Sequence, residues 1–188
     1  GQNNLRFEVQ NSLNNSLGTT SPTEFYAGSL EVTQNVLNAD FSKELNWGLA
    51  YPVNLAFGAE WRGEKFNESP GEVASYVNGG IPSANGSLLP GAQVFAGFKP
   101  TDAGHYDRHS YSGYVDLEAD LTDKFSVGLA GRTESYSDFG DTSNGKVSLR
   151  YAFTPKIALR ATASTGFRAP SLQQQFFQSI ATNFINVT

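Results

Sequence analysis

Cysteine and methionine are both absent from the 188-residue chain. The lack of cysteine excludes a disulfide scaffold and thiolate metal sites. Because there is no methionine and no signal peptide, Gly1 is not expected to be a natural start, and the chain is expected to be a piece of a longer protein. Basic residues are few, with 13 Lys and Arg against 18 Asp and Glu. With no basic stripe to offset the acids, the sequence argues against a nucleic-acid partner.

Long hydrophobic runs are missing as well, whereas glycine and aromatic residues are frequent. No segment approaches the roughly 18 apolar residues of a membrane-spanning helix. Nineteen glycines and 13% aromatic residues are typical of an all-β chain with many turns. The hydrophobic fraction of 39% suits a soluble protein and a membrane β-barrel equally well, because barrel strands face lipid only at alternate positions.

The segment from Ser112 to Arg168 alternates strictly between apolar and polar residues, as strands with two unlike faces do. Short turns at Lys124 and Pro155, and the loop GDTSNG (residues 140–145), make neighbouring runs antiparallel. The turn at Lys124 then pairs Asp116 with Ala130. The GDTSNG loop brings Glu134 near Arg150 and Asp138 near Lys146. The turn at Pro155 sets Phe153 opposite Ile157 and Tyr151 opposite Leu159. Apolar residues then face apolar ones and charges face charges, which predicts a β-meander.

Three more alternating runs precede the meander, within residues 4–14, 31–45 and 53–62. Residues 67–107, rich in Gly, Pro, Asn and Ser, are expected to form a long outer loop. Long and short connections alternate along the chain, so every long one falls at the same rim, as in outer-membrane barrels. Aromatic residues near the strand ends resemble the girdles of such barrels: Trp47, Tyr51, Phe125 and Phe153 by the short turns, and Trp61, Tyr114 and Tyr136 towards the long loops.

The last run reads STGFRAPSLQQQF and resembles the GFRAPSL signature of TonB-dependent outer-membrane receptors. Upstream, LAFGAEWRGEKF, YVDLEADLTDKFSVGLAGRTESYSDFG and NGKVSLRYAFTPKIALRA resemble barrel segments of that family in the expected order. The resemblance implies an antiparallel meander forming part of a large transmembrane β-barrel, about seven of roughly 22 strands. All of residues 1–188 would belong to this partial barrel domain.

The resemblance also implies a function and partners. Such receptors lie in the outer membrane of Gram-negative bacteria and import a scarce ligand, such as a ferric siderophore, cobalamin or an oligosaccharide. Energy reaches them from TonB through a plug domain inside the barrel. The sequence contains neither a plug nor a TonB box. The expected partners are therefore outer-membrane lipid, the rest of the receptor, TonB through the missing plug, and the ligand.

The candidate site residues fall into three groups. Residues expected to line the lumen are Glu60, Arg62, Asp116, Glu118, Asp120, Arg132, Glu134, Lys146, Arg150 and Arg160, with the bases on neighbouring strands compensating the acids of the 116–120 run. Residues expected to capture ligand on a flexible outer loop are Tyr76, Phe95 and Phe98. The family motif comprises Gly166, Phe167, Arg168, Ala169, Pro170, Ser171 and Leu172 and marks the end of a strand, because proline cannot donate to the ladder.

The same sequence offers three alternatives to transport: a metal site, an enzyme and a binding module. His105 and His109 would bind a metal ion only on a helix, and the flanking glycine and strand predict two solvated imidazoles and no metal site. The acidic run could serve hydrolysis or Ca²⁺ binding, but lumen polarity explains it better. No catalytic motif occurs, so no enzyme and no cofactor are expected. The alternative function is a soluble or surface-exposed β-rich binding module, in which the apolar face packs on a second layer.

Overall fold

The computed structural model describes residues 1–49, 51–83 and 86–179. It confirms the all-β class, since seven strands form one antiparallel sheet in chain order. The strands are β1 (Gln2–Gln10), β2 (Glu24–Leu45), β3 (Val53–Pro70), β4 (Gly104–Thr122), β5 (Phe125–Tyr136), β6 (Gly140–Thr154) and β7 (Ile157–Ser164). A 3-10 helix (Asn15–Thr20), two short helices, α1 (Val73–Tyr76) and α2 (Leu172–Phe176), and a small ladder (Pro82–Ser83 with Gly86–Ser87) complete the elements. None of the helices described is long and apolar enough to cross a membrane.

The meander register is confirmed at two of its three turns. Asp116 pairs with Ala130 across the turn at Lys124, and Tyr151 pairs with Leu159 across the turn at Pro155. A bulge between Ala152 and Thr154 sets Thr154 opposite Ile157, so the expected pairing of Phe153 with Ile157 is wrong.

The loop expected at GDTSNG is wrong, because those residues form the first part of β6. Tyr136 pairs with Gly140, which leaves only residues 137–139 for the turn. Gly140 has a φ of 89°, the left-handed conformation that ends many three-residue hairpin loops. The register moves with the turn: Glu134 lies opposite Thr142, not near Arg150, and Lys146 lies opposite Ala130, not near Asp138.

The long connection is shorter and more ordered than expected. Strand β3 continues to Pro70 and β4 begins at Gly104, so the connection spans residues 71–103. Its backbone is attached to β2 at both ends, where Glu72 N–H donates to Tyr26 O (2.8 Å) and Phe98 N–H donates to Ala27 O (2.9 Å). The described parts of this connection are therefore attached to the sheet by backbone hydrogen bonds, in place of the flexible loop that the sequence predicts.

The chain divides into two compact units. We call Gly1–Gln34, Glu64–Asp107 and Pro170–Thr188 the loop unit, and Asn35–Gly63 and Arg108–Ala169 the sheet unit. The loop unit has a hydrophobic core in which Leu30, Phe66, Phe98 and Leu172 are all buried. A second buried cluster of Val9, Phe25, Ala27 and Ala92 packs on the same partly buried ring of Phe7.

A fully buried asparagine holds the loop unit together. Asn14 Nδ2 donates to Ala74 O and Val77 O, both at 2.9 Å. Its Oδ1 accepts from Ser16 N–H (3.2 Å) and Ser16 Oγ–H (2.6 Å), which caps the 3-10 helix. Ser16 Oγ in turn accepts from Gly79 N–H at 2.9 Å. One side chain thus satisfies backbone groups from two separate stretches of chain.

We expect the substitution Asn14→Ala to open the loop unit. It leaves the Ala74 carbonyl without its donor, and an unsatisfied buried polar group costs about 1–3 kcal/mol. Amide hydrogen exchange at Gly79 and its neighbours should become about ten- to hundredfold faster. The matched control is Asn15→Ala, a half-buried neighbour with no side-chain hydrogen bond among the described residues. Equal exchange rates in both variants would contradict the role given to Asn14.

Candidate functional site

One face of the sheet unit is apolar, and no residue that the structure describes covers it. Across the strands, Ala119 pairs with Val127, Val127 with Leu149, and Leu149 with Ala161, which places a continuous apolar row on this face. Its large side chains are exposed in the described structure, for example Leu129 at 47% and Leu159 at 62%. A binding module would need a second layer over this face, and none of the residues described forms one.

The opposite face carries an ion-pair network. Arg132 Nη2 lies 2.8 Å from Glu134 Oε1 and 3.9 Å from Glu60 Oε1, which also accepts from Arg62 Nη2 at 2.9 Å. Arg132 further donates to Ser112 Oγ at 3.0 Å, and Tyr136 O–H donates to Glu134 Oε2 at 3.2 Å. The structure therefore brings together Glu60, Arg62, Arg132 and Glu134 of the expected lumen residues.

The remaining lumen candidates share this polar face but do not pair. The acids Asp116, Glu118 and Asp120 stand on β4, whereas the bases Lys146, Arg150 and Arg160 stand on β6 and β7. The intervening strand β5 contributes only Ser126, Gly128 and Ala130 to these rows. The acids are thus two strands, or about 10 Å, from Lys146 and Arg150 and three strands, or about 14 Å, from Arg160. The described residues show no ion pair between the acids and the bases. The expected compensation by neighbouring strands is wrong for these acids.

Two of the aromatic residues assigned to the girdles lie on the polar face instead. Tyr114 stands opposite Arg132, and its O–H donates to Asp40 Oδ1 at 2.8 Å. Gly58 makes this contact possible, because a Cβ there would lie 2.6 Å from the Tyr114 ring. Tyr136 bonds to Glu134 as described above. The girdle prediction is therefore wrong for both tyrosines.

The three capture residues lie in different environments. Phe98 is 2% exposed and packs edge-on against Phe7 and Phe95, with ring centroids 5.6 and 5.5 Å away. Its ring stabilises the loop unit and is not presented at a surface. Phe95 is partly buried against the same core, and Tyr76 is half-buried at the end of α1. Ligand capture stays a prediction for these residues.

The GFRAPSL residues follow the end of β7 at Ser164, as expected, and act separately in the two units. In the sheet unit, the Phe167 ring lies 5.6 Å from that of Phe139 in the β5–β6 turn. In the loop unit, Ser171 caps α2: its Oγ accepts from Gln174 N–H, and Gln174 Oε1 accepts from Ser171 N–H. Leu172 enters the core at 4% exposure, while Gly166, Arg168 and Pro170 are exposed and Ala169 is half-buried.

A buried carboxylate lies beside the segment that follows this motif. Glu68 is 3% exposed; its Oε1 has no partner in the described structure, and its Oε2 accepts from Gln178 N–H at 3.4 Å. Burial raises the pKa of Glu68 above its usual value, the nearby Asp102 charge adds to the increase, and the Gln178 amide opposes it. Counted from Val53, a membrane-spanning stretch of 9–11 residues ends at Gly63 at the latest, so Glu68 lies beyond it.

Several residues of the polar face were missed at the sequence level. Alternate residues of a strand share a face, so counting every second residue would have placed Ser112 and Tyr136 on the same face as Glu134. Arg108 contacts Asp138 at 3.4 Å beneath the rings of Tyr136 and Phe139, and only the observed turn position brings these groups together. His105 and His109 are exposed on strand β4, and none of the described His, Asp and Glu residues group into a metal site.

A family model described as TonB dependent receptor-like, beta-barrel, matches residues 1–187. The chain belongs to the TonB-dependent receptor family. No curated protein and no solved structure matches it. The family is one of outer-membrane proteins of Gram-negative bacteria, and the uncovered apolar face and the polar network are the two faces that a barrel of such a receptor needs.

Short-turn contacts and aromatic residues agree with the receptor fold. Trp47, Tyr51 and Phe153 near the short turns are all exposed, as a lipid-facing girdle requires. Tyr51 O–H also donates to Asp123 of the β4–β5 turn, and this hydrogen bond raises the phenol pKa. Trp61, the girdle residue expected at the other rim, is 36% exposed.

The apolar face is tested by placing a charge on it. We expect Leu149→Arg to lower the free energy of unfolding of the receptor in lipid vesicles by about 2–4 kcal/mol, because Leu149 lies about half a spanning strand from the turn at Pro155. The control, Ser148→Arg, places the same charge on the polar face and should change the free energy little. Urea unfolding of both variants checks this, and equal losses would contradict the assignment of faces.

The Glu68 carboxyl should make the loop unit sensitive to pH. The pKa of Glu68 in the folded state is raised above the unfolded value near 4.5. Its contribution to the stability of the loop unit is therefore fully present below pH 4.5 and is lost as the pH rises through the folded-state pKa. We expect protection of the amides of α2, corrected for intrinsic exchange, to fall over this range. Glu68→Gln should remove the dependence, whereas the exposed control Glu72→Gln should keep it. A pH profile unchanged in Glu68→Gln would refute this assignment.

Proposed function

We propose that this barrel section works in an outer-membrane receptor that imports a scarce ligand with energy transmitted by TonB. The observation that carries the proposal is the pairing of an uncovered apolar face with a charged polar face, in a chain that matches the receptor family over residues 1–187. The apolar face contacts lipid, and the polar face lines a wet interior. The role is transport without catalysis.

The remaining parts of the receptor follow from the open sheet. Strands β1 and β7 lie at its two edges. In hydrocarbon an edge strand leaves N–H and C=O groups unpaired, at several kcal/mol each, so further strands must close the barrel. A closed barrel of roughly 22 strands is wide enough for a plug, and we propose that the plug receives the energy from TonB.

The ligand classes proposed are ferric siderophores, cobalamin and oligosaccharides. All are large enough to need a wide barrel and scarce enough to justify active import. The loop unit would meet the ligand first, because it holds the longest connection and a folded core that keeps that connection in place. Tyr76 and Phe95 remain the candidates for direct contact, whereas Phe98 is proposed only as their support.

Uptake by whole cells tests the proposal. Cells that produce the complete receptor should accumulate one labelled member of the three ligand classes against its gradient. Deleting TonB, or collapsing the proton gradient, should abolish accumulation but leave binding to the cell surface, because only the energy supply is removed. Cells that lack the receptor are the control. Accumulation that persists without TonB would show a passive channel and overturn the proposal.

A further inference from the structure

Two arginines face each other without a counter-charge on the polar face of the sheet unit. Arg150 of β6 and Arg160 of β7 occupy directly paired positions. Like charges placed directly opposite each other destabilise a sheet. In the part of the chain that the structure describes, neither guanidinium takes part in a hydrogen bond or an ion pair. An anion between them would remove the repulsion.

The two arginines border a groove of about 410 Å³. Hydroxyl groups of Ser126 and Thr162 line it and can donate to an oxygen ligand, whereas the Ser148 hydroxyl donates to Gly128 O at 3.5 Å. Three β5 residues line its floor, and the two on the polar face, Ser126 and Gly128, are small, which leaves the floor open. The groove thus combines two cations, hydroxyl donors and room for a small group.

The far wall of the groove is acidic and limits which anion fits. Asp120 lies in the same cross-strand row as Ser126 and Arg150, and Glu118 lies in the adjacent row. Both belong to β4, about 10 Å from Arg150, which is too far for direct pairing but near enough to repel a highly charged anion. A carboxylate group carries one charge, less than a phosphate dianion, and can therefore pair with the arginines at a smaller cost from these acids, also where it is one end of a dicarboxylate.

We propose that Arg150 and Arg160 form a carboxylate-binding site on the polar face of the receptor. The planar guanidinium group can donate two parallel N–H bonds to a carboxylate. The guanidinium groups of the two opposed arginines can together bind both carboxylate oxygens. The carboxylate belongs either to a ligand in the barrel or to another segment of the receptor, including the further strand that pairs with the open edge of β7. The site goes beyond the proposed transport function, because binding needs no TonB.

The test uses the complete receptor, purified in detergent, with succinate as the probe and chloride at equal ionic strength as the reference. Titration calorimetry gives the affinity, and thermal unfolding gives the midpoint. The variant is Arg150→Gln with Arg160→Gln. The matched control is Lys146→Gln with Lys156→Gln, which removes the same charge from the same hairpin. Arg160→Gln alone, at an exposed position, serves if the double variant does not fold.

Two results would support the site and separate the sources. If ligands supply the carboxylate, wild type binds succinate, and the arginine variant loses about tenfold or more in affinity while the lysine control does not. If the receptor supplies it, succinate does not bind, and the arginine variant unfolds at a lower temperature than the control. The double variant Arg150→Lys with Arg160→Lys should behave like the glutamine variant, because lysine keeps the charge but cannot form the bidentate contact of a guanidinium group.

Other results would overturn the site. The first is that wild type does not bind succinate and the arginine variant is at least as stable as the lysine control. Removing the two arginines would then only have relieved the repulsion between them, and no bound carboxylate would have been lost. Full retention of affinity by the lysine replacements would equally refute a bidentate site. None of these outcomes depends on uptake, so failure of the transport proposal and failure of the carboxylate site are distinguishable.

Discussion

The structure depends on one constraint, that a backbone crossing hydrocarbon must pair all its N–H and C=O groups. Strands satisfy it only by joining neighbours in a sheet, and a sheet in lipid must turn one face to hydrocarbon and the other to water. The alternation from Ser112 to Ser164 is the direct result: the row that joins Leu117, Leu129, Val147 and Ala163 is apolar throughout, and the rows on either side of it are polar. The turns and the charge network follow from this register.

Period-two reasoning predicted the register wherever a turn was short enough to leave no choice. Asp116 with Ala130 and Tyr151 with Leu159 are examples. It failed at GDTSNG, because strand residues that face water in a barrel have the same polar composition as a loop. Polarity alone therefore cannot distinguish such a strand from a loop. The turn position was set instead by Gly140, whose positive φ completes a three-residue turn. The bulge after Ala152 had no sequence signal that period-two counting could detect.

The candidate site could be predicted only in part for a related reason. Alternation assigns residues to a face, so all ten lumen candidates could be placed on the polar face, and their lining of a lumen stays a prediction. Alternation does not say which strands neighbour each other across a long connection. The pairing of Arg132 with Glu60, and of Tyr114 with Asp40, depends on how β3 lies between β2 and β4. The burial of Phe98 was likewise out of reach, since an aromatic residue in a long connection can serve a ligand or a core, and only packing decides.

The two units meet different solvents, and their interiors differ accordingly. Among the described residues, every buried hydrophobic side chain except Val53 belongs to the loop unit. A unit in water must bury apolar surface within itself, and Phe66, Phe98 and Leu172 do so. The described residues of the sheet unit form no comparable core, as expected if lipid contacts its apolar side chains in place of protein, which is the contact proposed above. A phenylalanine truncated to alanine would therefore leave a cavity in the loop unit, whereas on the apolar face of the sheet unit lipid would fill the space.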